Sequence, residues 1–116
     1  MKLRIACLLY VLFFTASIKA AALWLRYPVI SPDGSQIAFT YKGRIYIVSA
    51  HGGGGFARPV TSGESYASCP VWSPDSKTLA YASDRYGNFD IFTVPASGGV
   101  PTRITANSAQ ETPFAF

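Results

Sequence analysis

The chain has 116 residues, which is enough for one small domain. It carries ten basic and six acidic residues, but three of the basic ones (Lys2, Arg4 and Lys19) lie in the first 22 positions. The other seven are scattered, so the net charge of +4 does not indicate a nucleic-acid surface. One histidine (His51, in a glycine run) and two cysteines give neither a metal-site spacing nor a nucleophile and base pair, and we expect no metal, no cofactor and no catalytic residue in this chain.

Residues 1–22 are predicted to be a signal peptide. They have a basic start, an apolar stretch from Ile5 to about Phe14, and small residues at 20–22. The apolar stretch is shorter than the roughly 20 residues that span a membrane, so we expect no membrane span after cleavage. An uncleaved N-terminal anchor is the alternative, because Lys19 follows the apolar run. Export predicts a periplasmic or secreted protein, in which seven basic and six acidic residues leave a net charge of +1.

Two copies of one pattern follow the leader. The stretch PVISPDG at 28–34 returns 42 residues later as PVWSPDS, and IAF at 37–39 returns at the same offset as LAY. The stretch IYIV at 45–48 returns as IFTV at 91–94, and the segment 113–116 begins a third copy. A period of about 40–45 residues with four short strands is typical of a β-propeller blade.

The sequence therefore predicts an all-β fold made of propeller blades, each with four antiparallel strands. We expect blade 1 in residues 23–69, blade 2 in 70–112 and the start of a third blade in 113–116. Propellers have about 4–8 blades, so this is an incomplete propeller. We expect a fragment of a longer protein, a truncated product, or a piece that assembles with further blades, because two blades leave sheet faces and a strand edge uncovered.

The local strands and turns follow from the same repeat. Asp33 and Asp75 occupy matching positions of Ser-Pro-Asp turns and are interpreted as turn formers. Ser76 stands where the first copy has Gly34, and it costs about 1 kcal/mol if the position is left-handed. The segment 84–88 is predicted to be a longer hairpin. The predicted strands are 29–31, 37–40, 44–48 and 60–61 in the first copy, and 79–82, 90–94 and 104–105 in the second.

Three charged residues around that longer hairpin are the candidate site. Asp84, Arg85 and Asp90 flank it. One interpretation is a local salt bridge with side-chain-to-backbone hydrogen bonds that hold the hairpin. The other is a rim position of the propeller that contacts a ligand or a partner domain. The sequence leaves both open.

These motifs resemble a known family. The stretch SPDGSQIAF at 31–39 and the stretch WSPDSKTLAYASDR at 72–85 are similar to the propeller repeat of TolB and of tricorn-type proteases. The opening LWLRYP at 23–28, directly after the leader, resembles more specifically exported bacterial tricorn-protease homologues, and so does the stretch SDRYGNFD at 83–90. The resemblance implies a propeller that guides peptide substrates to a PDZ-like module and a serine peptidase domain. Its partners would be the remaining blades, that peptidase domain and peptides, with no nucleic acid, and its catalytic serine would lie downstream of Phe116.

Three functions stay open at this stage. The first is the amino-terminal propeller of an exported tricorn-like serine peptidase that acts on oligopeptides. The second is a non-catalytic, TolB-like periplasmic propeller that binds other proteins. The third is a propeller fused to an α/β-hydrolase peptidase, which a Gly-x-Ser-x-Gly turn beyond the propeller would identify.

Overall fold

The computed structural model describes residues 25–52, 55–106 and 109–116. The predicted signal peptide lies outside these residues. In the described ranges no helix is long and apolar enough to cross a membrane.

In the described part of the chain, eight β-strands form two four-stranded antiparallel sheets, each with its strands in chain order. This confirms the all-β fold with four antiparallel strands in each blade. Sheet 1 contains β1 (Leu25–Ile30), β2 (Gln36–Tyr41), β3 (Arg44–Ser49) and β4 (Arg58–Pro59). Sheet 2 contains β5 (Ala67–Trp72), β6 (Thr78–Tyr86), β7 (Asn88–Pro95) and β8 (Thr102–Arg103).

The first strand of each sheet continues through a bulge, so β1 is longer than the predicted strand 29–31. Tyr27 (φ 54°) and Cys69 (φ 56°) are left-handed at matching positions, and each precedes a proline. The pairing with β2 and with β6 shifts register there, so the strand passes the proline and resumes. The prediction took the proline as the strand's start. As a result, sheet 2 begins at Ala67, upstream of the boundary expected between the blades.

The fourth strand of each sheet lies two residues earlier than predicted. The amide of Ile45 donates to the Thr61 hydroxyl at 3.0 Å, and the amide of Ile91 donates to the Thr105 hydroxyl at 2.9 Å. A side-chain oxygen therefore takes the place of the backbone acceptor that would continue the ladder. The strands end before these threonines, which the repeat pattern alone could not reveal.

The longer hairpin predicted at 84–88 is present, but its residues belong to the strands and not to an open loop. β6 continues to Tyr86 and β7 begins at Asn88, with only Gly87 (φ 106°) between them. The pairing shifts register after Ser83, so the extra residues of the second copy form a bulge in a longer strand pair.

The two sheets share one hydrophobic core. β5 packs against β1, β2 and β3 of sheet 1. In the register of sheet 1, Ala38 lies opposite Ile47, so both side chains leave the same face, and both are buried. They belong to one buried cluster with residues of sheet 2. The largest members from sheet 2 are Trp72, Leu79, Tyr81, Phe92 and Val94.

Hydrogen bonds also join the sheets along their length. The Trp72 Nε1 atom donates to the Val29 carbonyl at 3.0 Å. The Arg58 guanidinium donates to the Ala96 carbonyl at 2.6 Å. This contact of neighbouring four-stranded sheets is the arrangement of adjacent propeller blades.

The chain leaves both sheets in the same way. The amide of Ala67 donates to the Gly43 carbonyl at 2.8 Å as the chain passes from sheet 1 to sheet 2. The amide of Glu111 donates to the Phe89 carbonyl, also at 2.8 Å, as the chain leaves sheet 2. Residues 109–116 contain no strand. The start of a third blade at 113–116 stays a prediction, with this repeated link in its favour.

Asp33 forms the turn that the sequence assigned to it. Its Oδ1 atom accepts from the Ser31 hydroxyl at 2.6 Å, and from the Ser35 amide and hydroxyl at 3.0 and 2.8 Å. Asp75 repeats this arrangement with the Ser73 hydroxyl at 2.6 Å. These donors favour the carboxylate form, and they lower the pKa of Asp33 from 3.8 to about 2.

We expect Asp33 to make the free energy of unfolding depend on pH in the acid range. Because its folded pKa is lowered, its contribution is present above pH 3.8 and is lost as the pH falls towards 2. Asp33→Asn should reduce the change in the urea midpoint between pH 5 and pH 2. Asp33→Asn with Asp75→Asn should reduce it further, since the Ser73 hydroxyl also lowers the pKa of Asp75. If the urea midpoint of the double variant changes between pH 5 and pH 2 as much as that of the wild type, this prediction is wrong.

Ser76 is left-handed (φ 61°), as the comparison with Gly34 suggested. Its hydroxyl also accepts the Asp33 amide at 3.1 Å, which joins the turns of the two sheets. We expect Ser76→Ala to lower the free energy of unfolding by about 1 kcal/mol, because it loses this bond and keeps the strain. Ser76→Gly should be close to neutral, since relief of about 1 kcal/mol of strain offsets the lost bond. Urea unfolding measures both, and equal stabilities of the two variants would contradict the account.

Candidate functional site

One end of the sheet pair gathers the segments that carry the candidate residues. Leu25 at the start of β1 pairs with Tyr41 at the end of β2, so both lie beside the β2–β3 hairpin. The Ala67 link to Gly43 places the start of β5 at the same end. The β6–β7 hairpin joins them through Asp84. We call this region the hairpin end.

A depression of about 550 Å³ opens at the hairpin end. Arg26, Thr40, Lys42, Gly43 and Tyr66 line it. Arg26 lies opposite Thr40 in the register of β1 and β2, and Lys42 (φ 46°) forms the β2–β3 turn. Three segments of the chain therefore build the walls: β1, the β2–β3 hairpin and the approach to β5.

Gly43 permits the close contact that forms one wall. A Cβ atom at this position would lie 2.8 Å from Cδ2 of the Tyr66 ring, and the backbone has φ 74°. Both features exclude a side chain, because neither the clash nor the left-handed backbone is tolerated by an L residue at low cost. The Tyr66 ring thus lies close against the backbone of the turn.

Gly43→Ala should destabilise the chain by about 2 kcal/mol. The reason is the combined cost of the left-handed backbone, about 1 kcal/mol, and displacement of the Tyr66 ring. Gly34→Ala is the matched control, since Gly34 has φ 75° but an added Cβ meets nothing within 4 Å. We expect the free energy of unfolding of the control, measured with urea, to fall only by the cost of the left-handed backbone. Equal losses in the two variants would show that the contact with Tyr66 contributes nothing.

Asp84, the first of the three predicted site residues, fixes the same wall. Its Oδ1 atom accepts the Tyr66 amide at 2.8 Å, and its own amide donates to the Tyr66 carbonyl at 3.3 Å. The Tyr66 ring also packs edge-on against Phe89, with centroids 6.1 Å apart. Asp84 is therefore a residue that positions Tyr66, which fits the interpretation of side-chain-to-backbone bonds.

Asp90 is buried, and a rim contact for it stays a prediction. It is 1% exposed, and its Oδ2 atom accepts from Nη2 and Nε of Arg103 at 2.5 and 3.1 Å. The Arg103 guanidinium lies 4.6 Å from the centre of the Tyr86 ring. A salt bridge was one of the two interpretations, but its cation was not expected to come from β8. The alternation of Asp90 with buried Phe92 and Val94 was the signal that it points inward.

Arg85 is the exposed member of the predicted set. Burial raises the pKa of the Tyr81 phenol, and the positive charge of Arg85 opposes that rise. Asp84 binds Tyr66, Asp90 binds Arg103 and Arg85 is exposed, so the three residues have different surroundings. A rim contact stays a prediction for Arg85.

The depression has the chemistry of an anion site. Among the described residues, its lining contains two cations, Arg26 and Lys42, and no acidic residue. The Thr40 hydroxyl is buried and has no hydrogen-bond partner among the described residues. Within those same ranges no cluster of metal-binding side chains occurs. The sequence analysis missed this group, because only the antiparallel pairing brings β1 and the β2–β3 turn to one end.

No family model matches the chain. It is 33% identical over 89 residues to a Bacillus subtilis (strain 168) protein described as "Uncharacterized peptidase YuxL". The match covers 67% of this chain and 13% of that protein. It is also similar to the solved structure described as "putative TolB from Agrobacterium tumefaciens", with a TM-score of 0.64 and 26% identity. That match covers 73% of this chain and 31% of the TolB chain. The chain has a TolB-like propeller fold and spans less than a third of either protein.

Proposed function

We propose that this chain supplies the first blades of the propeller of an exported, tricorn-like serine peptidase. The propeller guides oligopeptides towards a catalytic domain that lies outside this chain. The observation that carries the proposal is the 33% identity to a protein described as a peptidase, over 67% of a chain with a TolB-like propeller fold. The LWLRYP opening and the SDRYGNFD stretch support the tricorn type of peptidase.

The architecture suits a role in admitting substrate. The Trp72 bond to Val29 and the shared core hold the two sheets as one unit, so their ends form a fixed surface. Binding residues are often carried on the loops of such a scaffold. The hairpin end, with its depression and with Arg85 exposed beside it, is the part of this unit that we assign to peptide contact.

Two other functions remain alternatives. A TolB-like propeller that binds envelope proteins is favoured by the structural likeness to TolB. A propeller fused to an α/β-hydrolase peptidase fits the description of the Bacillus relative equally well. In all three cases the leader predicted at 1–22 supports a periplasmic or secreted location.

The test is the size and reactivity of the native product. An antibody raised against residues 27–116 captures it from the envelope and medium fractions of the source cells. A fluorophosphonate probe then labels any activated serine in the captured protein. We expect a labelled species several times larger than this chain, with the labelled serine outside residues 1–116. A large unlabelled species would favour the TolB-like alternative, and a labelled serine in a Gly-x-Ser-x-Gly turn would favour the α/β-hydrolase.

A further inference from the structure

The cations of the depression differ from three of the four other arginines of sheets 1 and 2, the fourth being the exposed Arg85. Arg44, Arg58 and Arg103 each donate to a backbone or carboxylate acceptor. Within the described residues, the side chains of Arg26 and Lys42 form no hydrogen bond and no ion pair. The Tyr41 ring lies beneath the Lys42 Nζ atom, which is 5.4 Å from the ring centre.

The third feature of the depression is the Thr40 hydroxyl. Thr40 is 2% exposed, and its Oγ1 atom has no hydrogen-bond partner among the described residues. A buried polar group without a partner is costly, and such groups often mark a place that a ligand or water completes. This oxygen is shielded from solvent, so a ligand oxygen reaches it only after a lining side chain moves. Arg26 and Lys42 are exposed and can move in this way.

We propose that this depression binds a carboxylate group, held by the Arg26 guanidinium and the Lys42 ammonium, with Thr40 as a further donor. A guanidinium presents its donors in a planar fork that matches the two oxygens of a carboxylate. The lack of any acidic residue in the lining leaves both positive charges available to the ligand.

The ligand is larger than the carboxylate alone. The depression holds about 550 Å³, within the range of small-molecule sites, and the Tyr66 ring on its wall is 42% exposed. An apolar or aromatic group next to the carboxylate would cover this ring. A peptide residue with a free carboxylate meets both requirements. This choice of ligand rests on the proposed function, in which peptides are the substrates.

The test is a titration of the full chain, followed by amide chemical shifts at the hairpin end. The probe is N-acetyl-L-phenylalanine, and N-acetyl-L-phenylalaninamide is the same molecule without the charge. We expect the dissociation constant of N-acetyl-L-phenylalaninamide to be at least about tenfold higher than that of the acid, because a charge-assisted contact is lost. Arg26→Gln should weaken binding of the acid by about tenfold. Lys42→Gln should also weaken it. Lys77→Gln removes an equal charge at the opposite end and should leave binding unchanged.

Three results would overturn the proposal. The first is equal binding of the acid and the amide, which would exclude the carboxylate as the recognised group. The second is saturation of the hairpin end by inorganic phosphate without binding of the acid, which would assign another class of anion. The third is the absence of shifts at the hairpin end in a chain with a native circular dichroism spectrum. Because the titration needs no catalytic domain, its failure would leave the peptidase proposal to the serine-labelling experiment.

Discussion

Replacing Trp72 with alanine is expected to lower the free energy of unfolding by about 3–5 kcal/mol, the usual loss for a large buried aromatic side chain. Trp72 is 7% exposed and lies in the core that both sheets share. Its Nε1 atom also donates to the Val29 carbonyl of the neighbouring sheet. A small domain has a total stability of only several kcal/mol, so we expect this variant to be largely unfolded at 25 °C. Urea unfolding followed by far-ultraviolet circular dichroism measures the loss.

Trp72→Phe separates the two contributions. Phenylalanine keeps most of the buried ring area but removes the N–H group, which leaves the Val29 carbonyl without this donor. We expect a loss of about 1–2 kcal/mol, most of it from the missing bond and the reduced volume. If Trp72→Phe and Trp72→Ala lose the same free energy of unfolding, the hydrogen bond to Val29 accounts for the loss. The packing of the Trp72 ring in the shared core would then contribute nothing.

Replacing Arg103 with glutamine is expected to destabilise the chain by about 2 kcal/mol. The carboxylate of Asp90 is 1% exposed and would lose the guanidinium that donates to it twice. Breaking a fully buried pair costs about 3–5 kcal/mol, but the Arg103 side chain is 37% exposed, so water replaces part of the interaction. Chemical denaturation of the wild type and the variant gives the value directly.

A double-mutant cycle distinguishes loss of the pair from loss of the Tyr86 contact. Asp90→Asn removes the charge that Arg103 balances and leaves the guanidinium over the Tyr86 ring. If the pair is what matters, the loss on changing Arg103 should be smaller in the Asp90→Asn background by about 1 kcal/mol or more. An unchanged loss in that background would assign the stabilisation to the ring contact.

The repeat made most of the fold predictable from the sequence. The copies of PVISPDG and of IAF set the number of strands, their order and the turn role of Asp33. The strand limits were less predictable, because a bulge at Tyr27 and the Thr61 hydroxyl set them. Both are local exceptions to the pairing pattern, and neither has a sequence signature that stands out in a single chain.

The candidate site was predictable only in part. The sequence identified Asp84 because it lies beside a hairpin, and the structure gives it a positioning role at Tyr66. The residues of the depression escaped notice because Arg26 in β1 and Lys42 in the β2–β3 turn lie 16 positions apart. Their proximity depends on the register of β1 and β2, which the bulge at Tyr27 shifts. A one-residue error in register would have moved Arg26 to the other face of the sheet.

Native-state hydrogen exchange tests the central claim most directly, which is that the two sheets are neighbouring blades with one shared core. The amides of Ile45 and Ile47 in sheet 1, and of Leu79 and Phe92 in sheet 2, should exchange slowly and through the same opening. Trp72→Phe, a change in sheet 2, should then increase exchange in both sheets by the same factor. Faster exchange confined to sheet 2, with sheet 1 unchanged, would show two independent sheets and contradict the account.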